Sequence, residues 1–146
     1  MMFGRKSATS RTDVATAVAP AMAGPDDANI PFVDWDGRAF ELLRLVDVGH
    51  GLWRPDVIAD LDRLGRDQIV VVAAYTPEDI DAAHPLMQRF MTIVLAMGPG
   101  PRYGSRALAL GAVGYIDAEK SESDIRGLFG DAVARVRIRR LRGAAA

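Results

Sequence analysis

A chain of 146 residues with 49% apolar side chains has the length of one ordinary domain and enough apolar surface for a single core. Its 18 basic and 19 acidic side chains leave a formal charge of -1, so no global field draws it toward nucleic acid, an anionic membrane or an acidic substrate. The absence of cysteine excludes disulfides, thiolate nucleophiles and Cys-ligated zinc, and a cytoplasmic location is the expectation. No apolar run approaches the ~20 residues that span a bilayer, so neither membrane insertion nor a signal peptide is expected.

Residues 1–28 are rich in Ala, Ser, Thr, Pro and Gly and are read as a flexible tail, because they bury too little surface to offset the entropy of ordering. Within them, Val14 and Val18 share a face of a short helix over Thr12 to Met22 that Pro20 limits. Ile30-Pro31-Phe32-Val33 reads as a short strand. Ala39 to Val48 fits a helix aligning Phe40, Leu43 and Val46 or an alternating strand, and periodicity leaves both open. Gly49-His50-Gly51 breaks the chain, and Pro55 stands where an N1 proline starts a helix. Trp35 and Trp53 flank this stretch and are expected to pack the N-terminal half onto the sheet.

From Asp56 the signals alternate regularly. Asp56 to Arg66 predicts a helix with Val57, Ile58, Leu61 and Leu64 on one face, and Ile69 to Ala73 is a β-branched run suited to a strand buried on both sides. Thr76-Pro77-Glu78-Asp79 supplies an N-cap hydroxyl, an N1 proline and an N3 carboxylate for a helix carrying Ile80, Ala83, Met87 and Phe90, which Pro85 kinks or splits. Thr92 to Ala96 is a second buried strand, Gly98 to Pro101 a loop, Tyr103 to Leu110 a helix closed by Gly111, and Val113 to Ile116 a third strand. Ser121 and Asp124 cap a last helix with Ile125, Leu128, Phe129, Ala132, Val133 and Val136 at helical spacing. Such alternation predicts an α/β fold of flavodoxin-like type, a doubly wound parallel sheet with right-handed crossovers in one domain. Residues 29–142 form that domain, with the most regular signals over 56–140.

Ala107-Leu108-Ala109-Leu110-Gly111-Ala112-Val113-Gly114-Tyr115-Ile116, followed by a capped acidic helix, resembles the end of a response-regulator receiver (CheY-like) domain. The similarity covers about Asp56 to Arg137, and the interval from Asp34 to the end of the third strand is several residues shorter than the family's. The resemblance implies a phosphoryl-accepting aspartate after the third strand, a divalent metal held by an acidic pair, a hydroxyl after the fourth strand and a lysine after the fifth. Alignment on the strand-and-proline pattern puts Ala73 at the nucleophile, Ala96 at the hydroxyl and Ala118 at the lysine. Asp34 or Asp36 matches one acidic residue, Lys120 lies two places beyond the lysine position, and Tyr115 keeps a switch position. The resemblance therefore implies a pseudo-receiver without phosphorylation chemistry, needing neither metal nor cofactor and not acting as an enzyme.

Its expected partners are a regulatory protein, a histidine kinase or an output protein, with homodimerisation through the last helix. The expected surface is the helix 102–111, the strand 113–117 and the helix 123–138, with Arg102, Tyr103, Tyr115, Asp117 and Arg126 as contact residues. The sequence stops after the last helix, so no helix-turn-helix output is expected. A second reading is a small α/β enzyme or nucleotide-binding protein using the loop Gly98 to Gly104, although Pro99 and Pro101 remove two backbone donors there. A third is a nucleic-acid adaptor built on Arg135, Arg137, Arg139, Arg140 and Arg142, a run that otherwise serves the helix dipole and solubility. His50 and His84 lack metal-ligand spacing with another strong ligand, Asp47 standing three residues before His50. Asp79, Asp81, Asp117, Glu119, Glu122 and Asp124 fall on helix starts and loops, where capping explains them.

Overall fold

A computed structural model of the chain describes residues 29–98 and 102–145. The tail and short helix expected over residues 1–28 therefore lie outside the described residues, as do positions 99–101 of the Gly98 to Gly104 loop. The elements are β1 (Asn29–Val33), α1 (Arg38–Val46), β2 (Gly51–Trp53), β3 (Ile69–Ala74), α2 (Pro77–Ala82), α3 (His84–Arg89), β4 (Met91–Ala96), α4 (Arg102–Leu110), β5 (Gly114–Asp117) and α5 (Glu122–Ala145). The five strands are all parallel, in the order β2-β1-β3-β4-β5. That order is one of the two common doubly wound topologies, so the flavodoxin-like expectation holds.

Two apolar layers account for the stability. On one face α1 contributes Ala39, Leu43 and Val46, and α5 contributes Ile125, Phe129, Ala132, Val133 and Val136, against Phe32, Val71, Ile93 and Leu95 of the strands. On the other, Ile80, Ala83, Leu86 and Met87 of the α2–α3 pair and Ala107 of α4 cover Val33, Val70, Val72 and Val94. Every residue of β3 is buried, as its β-branched composition predicts for a central parallel strand. Each fully buried aliphatic side chain contributes about 1.5–3 kcal/mol of transfer free energy. Leu128, expected in the α5 stripe, is turned outward instead.

The helix starts behave as their sequences predict. Thr76 accepts from the Asp79 N–H at 3.3 Å, and the Asp79 carboxylate returns bonds to the Tyr75 and Thr76 N–H groups, completing a capping box around Pro77. The proline at position 85 splits the segment into α2 and α3, which meet at Ala83. Gly111 ends α4 at φ 114°, a conformation that only glycine adopts without strain. The Ser121 Oγ accepts from the Asp124 N–H at 3.1 Å and opens α5. Between the two readings of residues 39–48, the helix forms, packing Phe40 edge-on against Phe32 with ring centroids 5.7 Å apart.

Three expectations fail. The helix over Asp56 to Arg66 is replaced by one 3-10 turn at Ile58–Leu61, in which only Leu61 is buried, while Val57 and Ile58 are exposed. The cause is local: the Asp60 carboxylate folds back to accept the Asp56 and Val57 N–H groups at 3.0 and 3.3 Å, competing with helical pairing. This turn also accounts for the short interval before the third-strand end. The break at Gly51 is in fact the start of the edge strand β2, three residues too short to show alternation. Finally, Trp53 packs on the sheet but Trp35 does not, being 56% exposed beside the buried Asp34. Among the described residues no helix is long and apolar enough to cross a membrane.

The packing of β5 on α5 depends on the missing side chain of Gly114, where a Cβ would lie 2.9 Å from that of Ala132. Gly114→Ala should destabilise the fold by about 1–3 kcal/mol in urea unfolding, because two backbones rather than a flexible side chain must move apart.

Candidate functional site

Open parallel sheets place their chemistry at the C-terminal edge of the strands, where loops from neighbouring strands converge. The register puts Ala74, Ala96 and Asp117 side by side there, and the Ala118 N–H donates to the Ala96 carbonyl at 2.9 Å. Ala73, Ala96 and Ala118 therefore lie at or beside the ends of three adjacent strands. Alternation separates their side chains: Ala73 joins Leu95 and Ile116 on the α1–α5 face, whereas Ala96 lies in register with Ala74, which faces the other layer. None of the three carries a nucleophilic, hydroxyl or ammonium group.

The polar centre of this edge is Asp34, directly after β1 and only 2% exposed. One carboxylate oxygen accepts from the Tyr75 hydroxyl at 2.8 Å and the Asp36 N–H at 3.2 Å, and the other accepts from the Phe40 N–H at 2.9 Å. The Tyr75 hydroxyl in turn accepts from the Ala39 N–H at 3.1 Å. Asp36 accepts from the Arg38 N–H at 3.3 Å, so three N–H groups of the first α1 turn are met by residues of this cluster. A buried anion at a helix N-terminus is stabilised by those dipoles. Burial pushes the Tyr75 phenol up to about 12, and its bond to the Asp34 carboxylate acts in the same direction.

Two guanidinium groups flank the cluster. Arg38 makes a two-pronged ion pair with Asp36, its Nε 2.7 Å from the carboxylate, and lies 4.9 Å from the Tyr75 ring centre. That pairing holds the Asp36 carboxyl below its ordinary value. Arg54 donates through Nε to the Asp34 carbonyl at 2.9 Å. The divalent cation implied by the receiver resemblance needs carboxylate oxygens that are free to coordinate it. Here both Asp34 oxygens are already acceptors, Asp36 is ion-paired to Arg38, one Asp79 oxygen is held in its capping box, and Ala73 has no side-chain oxygen to offer. Among the described residues no group of three or more His, Cys, Asp or Glu could hold a metal ion. The residues present do not fit the cation.

The other sequence candidates are dispersed. Tyr115 is half-buried, with its ring against Gly104 of α4. Asp117 accepts from the Glu119 N–H at 2.9 Å in the turn after β5, and Lys120 is exposed on that turn. Arg126 reaches the Val46 carbonyl at 3.1 Å, which places it on the α1 side of α5 rather than with Tyr115. Arg102 and Tyr103 start α4, their side chains lying outside the described residues. In the basic run, Arg135 donates to the Val113 carbonyl and Arg140 to that of Asp67, tying the helix to the sheet's other edge. His50 packs 5.6 Å from the Phe129 ring, and His84 begins α3. Sequence reasoning missed Tyr75, Arg38 and Arg54: Tyr75 and Arg54 directly follow strand ends, and Arg38 opens α1.

No protein-family model matches the sequence, and no curated protein matches it. Among solved structures the chain is similar to NtrX from Brucella abortus, with 13% identity, a TM-score of 0.63, and coverage of 83% of this chain and 30% of that one. It is also similar to a CheY-like response regulator receiver domain protein from Methanospirillum hungatei, with 14% identity, a TM-score of 0.56, and coverage of 78% and 99%. A pilus assembly-related protein from Burkholderia pseudomallei matches at 14% identity and a TM-score of 0.51, over 74% and 90%. The chain thus has the fold of CheY-like receiver domains and spans less than a third of the NtrX chain. At these identities the likeness is one of fold.

Tyr75→Phe should cost about 1–3 kcal/mol, because it leaves a buried carboxylate oxygen and the Ala39 N–H each short of a partner. The pH dependence follows from the sign of the shift. The folded chain favours the neutral phenol, so this contribution is complete below the ordinary value of 10.0 and falls away as the pH rises through about 12. Spectrophotometric titration of the three tyrosines should contain one late step that is missing in Tyr75→Phe.

Proposed function

We propose that this chain is a phosphorylation-independent pseudo-receiver, a regulatory module that acts in the cytoplasm by binding other proteins. The observation that carries this reading is the state of Asp34. Its carboxylate is engaged at both oxygens by the Tyr75 hydroxyl and backbone N–H groups, and the sequence resemblance aligns Ala73 with a receiver's nucleophile. Phosphoryl transfer needs an in-line oxygen nucleophile and positive charge on the transferring group. Ala73 cannot supply the first, and the guanidinium groups of Arg38 and Arg54 are turned onto Asp36 and the Asp34 carbonyl.

A scaffold kept without its reaction has a use in its surface. The reading assigns that role to the edge formed by α4, β5 and α5, with Arg102, Tyr103, Tyr115 and Asp117 on or beside it. A regulatory protein, a histidine kinase or an output protein is the expected partner, and homodimerisation through α5 the expected assembly. Tyr115 supports the choice, since its half-buried ring couples β5 to the position of α4. Arg126 supports a neighbouring contact on the α1 side of α5.

The test is incubation of the full chain with acetyl phosphate and magnesium, followed by intact-mass measurement. No phosphoryl adduct should form, and beryllofluoride with magnesium should leave the melting temperature unchanged. Ala73→Asp alone should also remain unlabelled, because Asp34 is engaged at both oxygens and Asp36 is ion-paired to Arg38. Stoichiometric labelling of an aspartate in the unaltered chain would overturn the reading.

A further inference from the structure

A right-handed crossover from β2 to β3 passes over β1, and in a doubly wound fold a helix normally covers the sheet there. This chain crosses with a single 3-10 turn anchored by Leu61. The gap left by the absent helix is a cleft of about 340 Å³ between the ends of β1 and β3, the turn at Ile58 and the α2–α3 pair. Its walls include Val33, Val72 and Leu86, and its rim carries Trp35 and Ile58, which are 56% and 39% exposed. An exposed indole beside an apolar cleft is the composition of an interface anchor.

Charge decides what the cleft accepts. Asp34, Asp36 and Asp79 are the charged residues that line it, and no lysine or arginine does. Among the described residues only Asp36 of the three is ion-paired, to Arg38, while Arg54 is turned onto the Asp34 carbonyl. The bordering turn and helix add Asp56, Asp60 and Glu78, all exposed. An apolar pocket with acidic surroundings selects an apolar group that travels with a cation. We infer that this cleft docks a peptide segment of a partner protein in which a large apolar side chain stands next to lysine or arginine. The site is separate from the α4–β5–α5 edge, but it shares Asp34, Asp36, Ala73 and Tyr75 with the cluster behind the pseudo-receiver reading, and it rests on that reading in needing those carboxylates free of a bound cation.

The test uses the full chain labelled with nitrogen-15 and two synthetic peptides, Lys-Phe-Leu-Arg-Lys and its acidic twin Glu-Phe-Leu-Glu-Glu. At about 1 mM the basic peptide should shift the Trp35 indole N–H and the Ile58 amide, and the effect should weaken as salt is added. Affinity should fall about tenfold in Ile58→Ala, read at the indole, and in Trp35→Ala, read at the Ile58 amide. Leu45→Ala, on the exposed side of α1, should bind as the unaltered chain does. Equal binding of the two peptides, unchanged binding by both cleft variants, or no shift with the basic peptide overturns the proposal. So does concentration-dependent movement of the same signals without peptide, which makes a second copy the occupant. Movement of those signals by Arg5→Glu with Lys6→Glu would give the cleft to the chain's own first residues, and overturns it as well.

Discussion

A single buried carboxylate organises the C-terminal edge of this sheet. Asp34 follows the last residue of β1, and its position there obliges it to find donors or forfeit several kcal/mol of desolvation. It finds them in a tyrosine from the β3–α2 loop and in the N–H groups that precede and begin α1. One anion therefore fixes three things together: where α1 starts, how the β3–α2 loop lies, and how β1 and β3 end relative to each other. Arg54 adds the link to the β2 end through the Asp34 carbonyl.

The same constraint bears on chemistry. A carboxylate that coordinates a cation must leave lone pairs open, whereas Asp34 already accepts two bonds at one oxygen and one at the other. That residue 73 is alanine, with no side-chain nucleophile, is visible as a residue type. The role of Asp34 as a structural joint is not, because a residue type is silent on the partners it finds in space. Tyr75 is the pivot of that joint, its hydroxyl bonded to both the Asp34 carboxylate and the Ala39 N–H.

The second departure from a regular doubly wound fold is the connection between β2 and β3. Elsewhere a helix covers each crossover, and the burial of β3, β4 and their flanking helices is continuous. Over β1 the cover thins to Leu61, and the apolar surface that a helix would hide is divided between a cleft and an exposed tryptophan. Exposed aromatic surface next to a cavity carries a solvation cost that a partner can relieve. The thin cover and the rewired carboxylate occur at the same corner of the molecule.

Periodicity and capping made most of the architecture readable. The runs at Ile69 to Ala73 and Thr92 to Ala96 are apolar enough to demand burial on both faces, and Thr76-Pro77, Gly111 and Ser121 mark helix ends through bonds made within a few residues. The alanines at 73, 96 and 118 were likewise legible, since an absent functional group needs no coordinates to be absent. What escaped was short or distant in sequence. β2 spans too few residues for alternation to register, and the Asp60 back-bond dismantles a helix whose apolar spacing looked regular. The Asp34–Tyr75 pair is separated by 41 residues, and Arg54 reaches Asp34 across 20. Local bonding preferences are written into neighbouring residues, so the chain alone determined the strands, the caps and the alanines at 73, 96 and 118. Which donors a buried charge recruits depends on where separate strands end in space, and that was decided only when the sheet assembled.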